Sequence, residues 1–400
     1  MKRFGAAGTW FSAPLKREGA TPTILGSGVR MAFTLIALAG IALTALVWPP
    51  RGPGELTGEW ELARGLLGGA GAGNYAIGAA NAYPLPFELL FVPIGLLNAP
   101  AVAIVGRLAA LILIGAGLWL WCRNQRWGLL PALLSLPAAE AVLSDHLMSA
   151  VGLFALSLAV WAHGRNRWVL AGAALGLGGI RFANALPLVL ILFLSGQRTW
   201  SRIGRMLAGG LAVVVPLTVA AFMLDPSWPS DYLRNLAVYG MSGMSQFASL
   251  RWGGLGEAGL LVGIAVGGAA IARGRGQDGL SIALAASVVA APMQGPYAAI
   301  FALPALVRLA RRPGYSNAAL VASGALWLAF AIATQLGAVP LMSAAGLWLL
   351  VSAYPLLRRG EQTDFGVEIG EANIPPQVDQ LAERGVGGAG STNASQSHLL

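Results

Sequence analysis

Long apolar runs separated by short basic connections dominate this chain. Residues 31–49, 101–121, 205–223, 317–335 and 339–356 are each close to the length that a helix needs to cross a bilayer, about 20 apolar residues. Further apolar stretches occupy 83–98, 128–145 and 169–195. The pattern predicts an all-α fold, a polytopic transmembrane helical bundle of about 11–12 membrane segments. Strand-length alternation with regular turn signals is missing, which removes a closed β-barrel from consideration.

Composition agrees with this pattern. Hydrophobic residues make up 56% of the chain, charged residues 11%, and mean hydropathy is +0.66, too apolar for a surface facing water. The 54 glycines suit close helix packing in lipid, where small side chains let backbones approach. A net charge of +9 invites a nucleic-acid reading until it is mapped. Residues 1–360 carry 25 basic against 11 acidic side chains, whereas 361–400 hold six acids and Arg384. The basic residues lie in connections between apolar runs, so membrane lipids and not nucleic acid are the expected partners. Cys122 is the only cysteine, which excludes an intramolecular disulfide and a thiolate metal site.

The sign of the connections predicts an orientation. Lys2, Arg3, Lys16, Arg17, Arg123, Arg126, Arg165, Arg167, Arg198, Arg202, Arg205, Arg273, Arg275, Arg308, Arg311, Arg312, Arg358 and Arg359 fall on one side, which the positive-inside rule assigns to the cytoplasm. The expected organisation is a cytoplasmic N-terminus over 1–30, a membrane domain over 31–356 with outer loops at 50–83 and 225–257, and a disordered cytoplasmic tail over 357–400. Lys2 and Arg3 precede no nearby small-residue cleavage site, so the first apolar run reads as an anchor. Two segments break the alternation of sides. Residues 83–98 are short enough to be re-entrant, and 169–195 has basic connections at both ends with an interruption at Gly178-Gly179-Ile180-Arg181. Two half-helices meeting near Arg181 satisfy that parity.

Few polar groups fall inside or at the ends of the apolar runs, and each costs about 2.5–3.5 kcal/mol at a helix centre on insertion scales. Arg181 either binds a phosphate approaching from the bilayer or snorkels and pairs with a carboxylate. Asp145 and His146 separate the run from Gly128 from the helix that opens at Leu147, where Asp145 either caps that helix or faces a site. In the first outer loop Glu55, Glu59 and Trp60 flank the start of a short amphipathic helix. A carboxylate there is either a general base toward a sugar hydroxyl or an acid favoured by the helix dipole. Tyr83-Pro84-Leu85-Pro86-Phe87-Glu88 opens the next segment. The second outer loop carries Asp225, Trp228, Asp231, Tyr232, Arg234, Tyr239, Arg251 and Trp252. Arg234 and Arg251 stand against the basic bias, as ligands of an anion or as salt-bridge partners of Asp225 or Asp231. No Walker motif, dinucleotide fingerprint or His-rich cluster is present, so no cofactor or metal is expected, and His163 and His398 read as incidental.

Over residues 30–355 the chain resembles the large integral-membrane glycosyltransferases that use polyprenol-phosphate sugars, the GT-C class, and most of all the mannosyltransferases of glycosyltransferase family 87. The resemblance rests on the acidic outer loop ending in Ala63-Arg64-Gly-Leu-Leu with Asn74-Tyr75, on Tyr83-Pro-Leu-Pro-Phe-Glu-Leu-Leu-Phe-Val-Pro, and on Ser144-Asp145-His146-Leu147. It continues through Leu170-Ala-Gly-Ala-Ala-Leu-Gly-Leu-Gly-Gly-Ile-Arg181 with Pro187, and Ala291-Pro292 with Tyr297 and Pro304. It implies an enzyme of the bacterial cytoplasmic membrane, both termini inside, that transfers a sugar from a polyprenyl-phosphate donor to a lipid or glycan acceptor at the outer face. Glu55 or Glu59 would be the base; Trp60, Tyr83, Asp145, His146, Arg181, Arg234, Arg251 and Tyr297 would bind substrate. The family usually places Asp in the first loop, where this chain has Glu, and often Lys where Arg181 stands. The rival expectation is a transporter or lipid flippase with its site near Arg181.

Overall fold

A computed structural model of the protein describes residues 56–69, 83–122, 132, 135–194, 200–241, 265, 268, 276–290 and 296–310. The apolar runs at 31–49, 317–335 and 339–356 and the acidic tail lie outside the described residues. Within them the chain is helical and no strand is found. Among the described residues three helices are long and apolar enough to cross a membrane: α3 (Ala99–Cys122), α5 (Leu147–Gly164) and α8 (Trp200–Leu224). This is a membrane protein, and the spans expected at 101–121 and 205–223 are both present.

The shorter elements surround these three. α1 (Leu56–Leu67) is the amphipathic helix that follows Glu55. α2 (Leu85–Glu88), with Pro at its start, runs directly into a 3₁₀ segment, Leu89–Leu96. Together these 12 residues are too short to cross. α4 (Leu136–Leu143) precedes α5, and α6 (Trp168–Gly178), a 3₁₀ turn (Gly179–Arg181) and α7 (Phe182–Leu194) separate α5 from α8. α9 (Trp228–Met241), α10 (Gly276–Ala290), a 3₁₀ segment (Pro296–Ala302) and α11 (Leu303–Ala310) complete the set.

α3 begins where Asn98 accepts from the Ala101 N–H at 3.0 Å, a side-chain cap ahead of a first-turn proline. Its buried positions Val102, Gly106, Ala110, Ile114, Gly117 and Trp121 recur at helical spacing, while Ile104, Leu108, Leu111 and Ile112 face outward. An apolar face turned outward is what lipid selects. α3 and α5 run side by side in the same direction. Gly106 lies beside Asp145, Gly117 meets the Phe154 backbone, and the Trp121 indole N–H donates to Ser157 Oγ at 2.9 Å.

The segment 168–194 returns to the end where it started. Arg202, in the first turn of α8, donates from Nη2 to the Leu192 carbonyl at 2.6 Å and meets His163 Nε2 at 2.7 Å. The same guanidinium lies 4.8 Å over the Trp168 ring. The end of α5, the start of α6, the end of α7 and the start of α8 therefore share one side chain, and α6 and α7 form a helical hairpin with Arg181 at its apex. At the typical rise, α6 with its 3₁₀ turn climbs about 22 Å and α7 descends about 20 Å, so the two arms match. α6 crosses α8 backbone to backbone: a Cβ on Gly172 would stand 1.8 Å from the Met206 carbonyl oxygen, and one on Gly209 2.0 Å from that of Val169. On the other flank, Asn184 Nδ2 donates to Ser287 Oγ at 2.9 Å, tying α7 to α10. The Arg308–Asp278 ion pair at 2.5 Å joins α11 to the start of α10.

If the hairpin enters and leaves the membrane on one side, a labelling prediction follows. Gly164 has open space where a Cβ would stand, Ser201 is exposed, and the native Cys122 is buried. Gly164→Cys and Ser201→Cys should both react with a membrane-impermeant maleimide from the same side of sealed vesicles. Labelling from opposite sides would rule the hairpin out.

Candidate functional site

The consecutive glycines at 178 and 179 end α6, and the chain tightens into a 3₁₀ turn before α7. Gly179 has no side chain to keep Phe87 away; a Cβ there would lie 3.1 Å from the Phe87 ring edge. Arg181 leaves this turn buried. Its stem packs along Gly152 of α5, and its Nη2 donates to the Ser149 hydroxyl. The guanidinium carbon sits 4.8 Å from the Tyr83 ring centre and 5.0 Å from that of Tyr297, within range of a cation–π attraction to both. The second ring continues the chain of contacts: His146 stacks on Tyr297 with centroids 3.5 Å apart and planes 28° from parallel. Tyr83, His146, Arg181 and Tyr297, distant in sequence, are thus linked through one another at a single end of the bundle, with Asp145 next to His146 in the chain.

Asp145 occupies the bend before α5 with φ at 59°, a left-handed conformation that Asp tolerates better than most residues. It does not cap α5, whose N-cap is His146 without a side-chain bond. Its Oδ1 instead accepts from Arg107 Nε at 3.0 Å, and its Oδ2 is buried with no hydrogen-bond partner. Burial raises its pKa from 3.8 to about 6, outweighing the charge and hydrogen bond of Arg107, which lower it.

α1 lies across the 3₁₀ segment 89–96. Trp60 Nε1 donates to the Leu97 carbonyl at 3.0 Å, and Gly95 leaves room for the Ala63 backbone. Leu56, one turn ahead of Glu59, presses against Gly106 beside Asp145, so the first turn of α1 borders the Asp145 bend. Glu59 is buried, as is Glu88. Glu88 was legible in the sequence only as the end of a proline motif, yet both of its carboxyl oxygens are buried without a hydrogen-bond partner. Burial first, and the charge of Glu59 second, push its pKa well above the ordinary carboxylate range.

Arg234 stays apart from this cluster. Its side chain is 68% exposed and pairs with Asp231 at 3.2 Å, one turn earlier on α9, the salt-bridge alternative open in the sequence. Asp225 accepts from the Ser227 N–H and Oγ at the turn into α9. Glu55 and Arg251 lie outside the described residues. Among the described residues no three His, Cys, Asp or Glu side chains group as metal ligands.

A cavity of about 360 Å³ adjoins the apex, lined by Pro84, Phe87, Gly179, Phe182, Leu217 and Tyr232 among others. Its walls are apolar apart from Thr218 and two buried donors without partners, Trp228 Nε1 and Tyr232 Oη; burial pushes the Tyr232 hydroxyl up to about 12. Comparison with protein families, characterised proteins and solved structures finds no match to this chain.

The Asp145 shift sets a pH dependence. Between pH 3.8 and about 6 the folded chain keeps a proton that the unfolded chain has released. The stabilising contribution is therefore complete below the unfolded value, declines as pH rises through the folded value, and is absent above it. Raising pH from about 4 to about 7 should lower the unfolding midpoint of the native chain relative to Asp145→Asn. Parallel melting curves across that range would refute the assignment.

Proposed function

We propose that this chain is a membrane glycosyltransferase that moves a sugar, mannose in the first instance, from a polyprenyl-phosphate donor to an acceptor at the outer face of the bacterial cytoplasmic membrane. The observation that carries the reading is the setting of Arg181. A buried cation held by Ser149 and two tyrosine rings shares the turn 179–182 with an apolar cavity. A lipid phosphate presents this combination of chemistry, an anion attached to a branched hydrocarbon.

In this reading the isoprenoid chain occupies the cavity and the phosphate faces Arg181. The acceptor hydroxyl loses its proton to a first-loop carboxylate, Glu59 or Glu55, as its oxygen attacks the anomeric carbon. The bond from that carbon to the phosphate oxygen breaks, the polyprenyl phosphate departs with the electron pair, and the sugar inverts. Arg181 is placed to stabilise the negative charge that grows on the departing phosphate. Burial and the charge of Glu59 favour the protonated form of Glu88, and Glu59 is the member of this acid pair assigned to accept the proton. His146, stacked on Tyr297, and its chain neighbour Asp145 are assigned to orient the sugar.

The hairpin favours one other reading, because broken re-entrant helices also build the substrate sites of carriers. A transfer assay with synthetic polyprenyl-phosphate mannose separates the two. Arg181→Gln should lower turnover about 100-fold, and Glu59→Gln or Glu55→Gln should do so at whichever position is the base. Unchanged turnover in both glutamate variants removes the proposed bases. Movement of labelled polyprenyl phosphate across vesicles without any transfer would replace the enzyme with a carrier.

A further inference from the structure

The end of the bundle opposite Arg181 holds a second group of cations. Arg165 and Arg167 flank the turn between α5 and α6 and both are exposed. Both guanidiniums lie over the same indole, that of Trp161, at 4.7 and 5.4 Å. Two like charges on one ring repel each other, and the ion pairs among the described residues engage Arg107, Arg234 and Arg308 instead. Arg202 brings the first turn of α8 to this turn through His163 and Trp168. That adds Trp200, 88% exposed, and the exposed Arg205 one turn further along.

Beyond this basic and aromatic collar the surface becomes apolar. Val169 and Leu170 of α6 and Leu207 and Leu211 of α8 are all exposed, on two helices whose backbones touch at Gly172 and Gly209. Tryptophan at the edge of an apolar belt marks head-group depth, and arginines there meet the phosphates of anionic lipids. A soluble anion would satisfy the charges and leave the apolar stripe uncovered, whereas a phospholipid satisfies both.

We propose that the turn between α5 and α6, with the first turns of α8, binds the phosphodiester head group of an anionic phospholipid whose acyl chains lie along the exposed faces of α6 and α8. Arg165 and Arg167 hold the phosphate from two sides, Trp161 fixes both side chains, and Arg205 reaches up from within the apolar belt by extending its stem. The site is independent of the transferase reading, since no catalytic group contributes to it.

Purified full-length protein equilibrated with equal amounts of phosphatidylglycerol and phosphatidylcholine, with retained lipids counted by native mass spectrometry, tests it. The native chain should keep phosphatidylglycerol in preference, the Arg165→Gln/Arg167→Gln variant should lose that preference about tenfold, and Arg165→Lys/Arg167→Lys should retain most of it. Arg64→Gln, which removes an arginine lying over a tryptophan at the other end, should leave the preference intact. Equal retention of the two lipids by the native chain overturns the proposal, as does an undiminished preference in the double glutamine variant. Displacement of the lipid by an equal concentration of inorganic phosphate also overturns it, because the site would then recognise the anion alone.

Discussion

At the base of the hairpin the Arg202 guanidinium meets the Leu192 carbonyl, the His163 ring nitrogen and the Trp168 face, and this meeting decides where the rest of the molecule stands. It returns α7 to the end from which α6 departed. Without that return, α8 would start from the opposite end of the bundle, and the turn before α9 would change ends with it. Packing in lipid gains little from hiding apolar surface, because the solvent is itself apolar. Side-chain hydrogen bonds and close backbone contact have to supply the specificity, and here they come from one arginine and the glycine crossing at Gly172 and Gly209.

Arm length then controls chemistry. The apex reaches Ser149 and Gly152, within the first two turns of α5, so Arg181 stands near the end of the bundle that also carries Tyr83, Asp145, His146 and Tyr297. Adding one turn to an arm would displace the apex by about 5.4 Å, more than the distance from the Arg181 guanidinium to either tyrosine ring centre. The two glycines before Arg181 serve the same end, since the 3₁₀ turn must fit beneath Phe87.

Much of this arrangement was legible from residue order. The spans at 101–121 and 205–223, the helix opening at Leu147, the short helix after Glu55 and the interruption at Gly178-Gly179 all rest on local pattern, and local pattern survives folding. The parity conflict over 169–195 pointed to a break because basic connections at both ends conflict with a single crossing. Pairings across helices were not legible. His163 reads as incidental in the sequence, yet it forms part of the Arg202 junction, and Arg107 gives no sign that it meets Asp145, 38 positions later. Asp145 reads equally well as a cap, and only the left-handed bend turns its carboxylate toward Arg107. Arg234 resolved toward the simpler of its two readings, an ion pair within one helix.

The two ends of the bundle differ in where they bury carboxylates, and the contrast bears on the proposed function. At the apex end, acids and cations are buried together: Glu59, Glu88, Asp145 and Arg181. Burial there raises the carboxyl groups of Glu88 and Asp145 above their ordinary values and so weakens the acids' hold on their charge. At the base Arg202 is buried against His163, while Arg165, Arg167 and Arg205 remain exposed. Solvation meets the needs of the exposed set at small cost. The buried set carries a desolvation cost that stability alone does not require, since apolar residues of similar volume would fill the same space more favourably. Several charged side chains buried together are the pattern expected where a site has been built into a scaffold, and that is the ground on which the apex of the hairpin is proposed as the site.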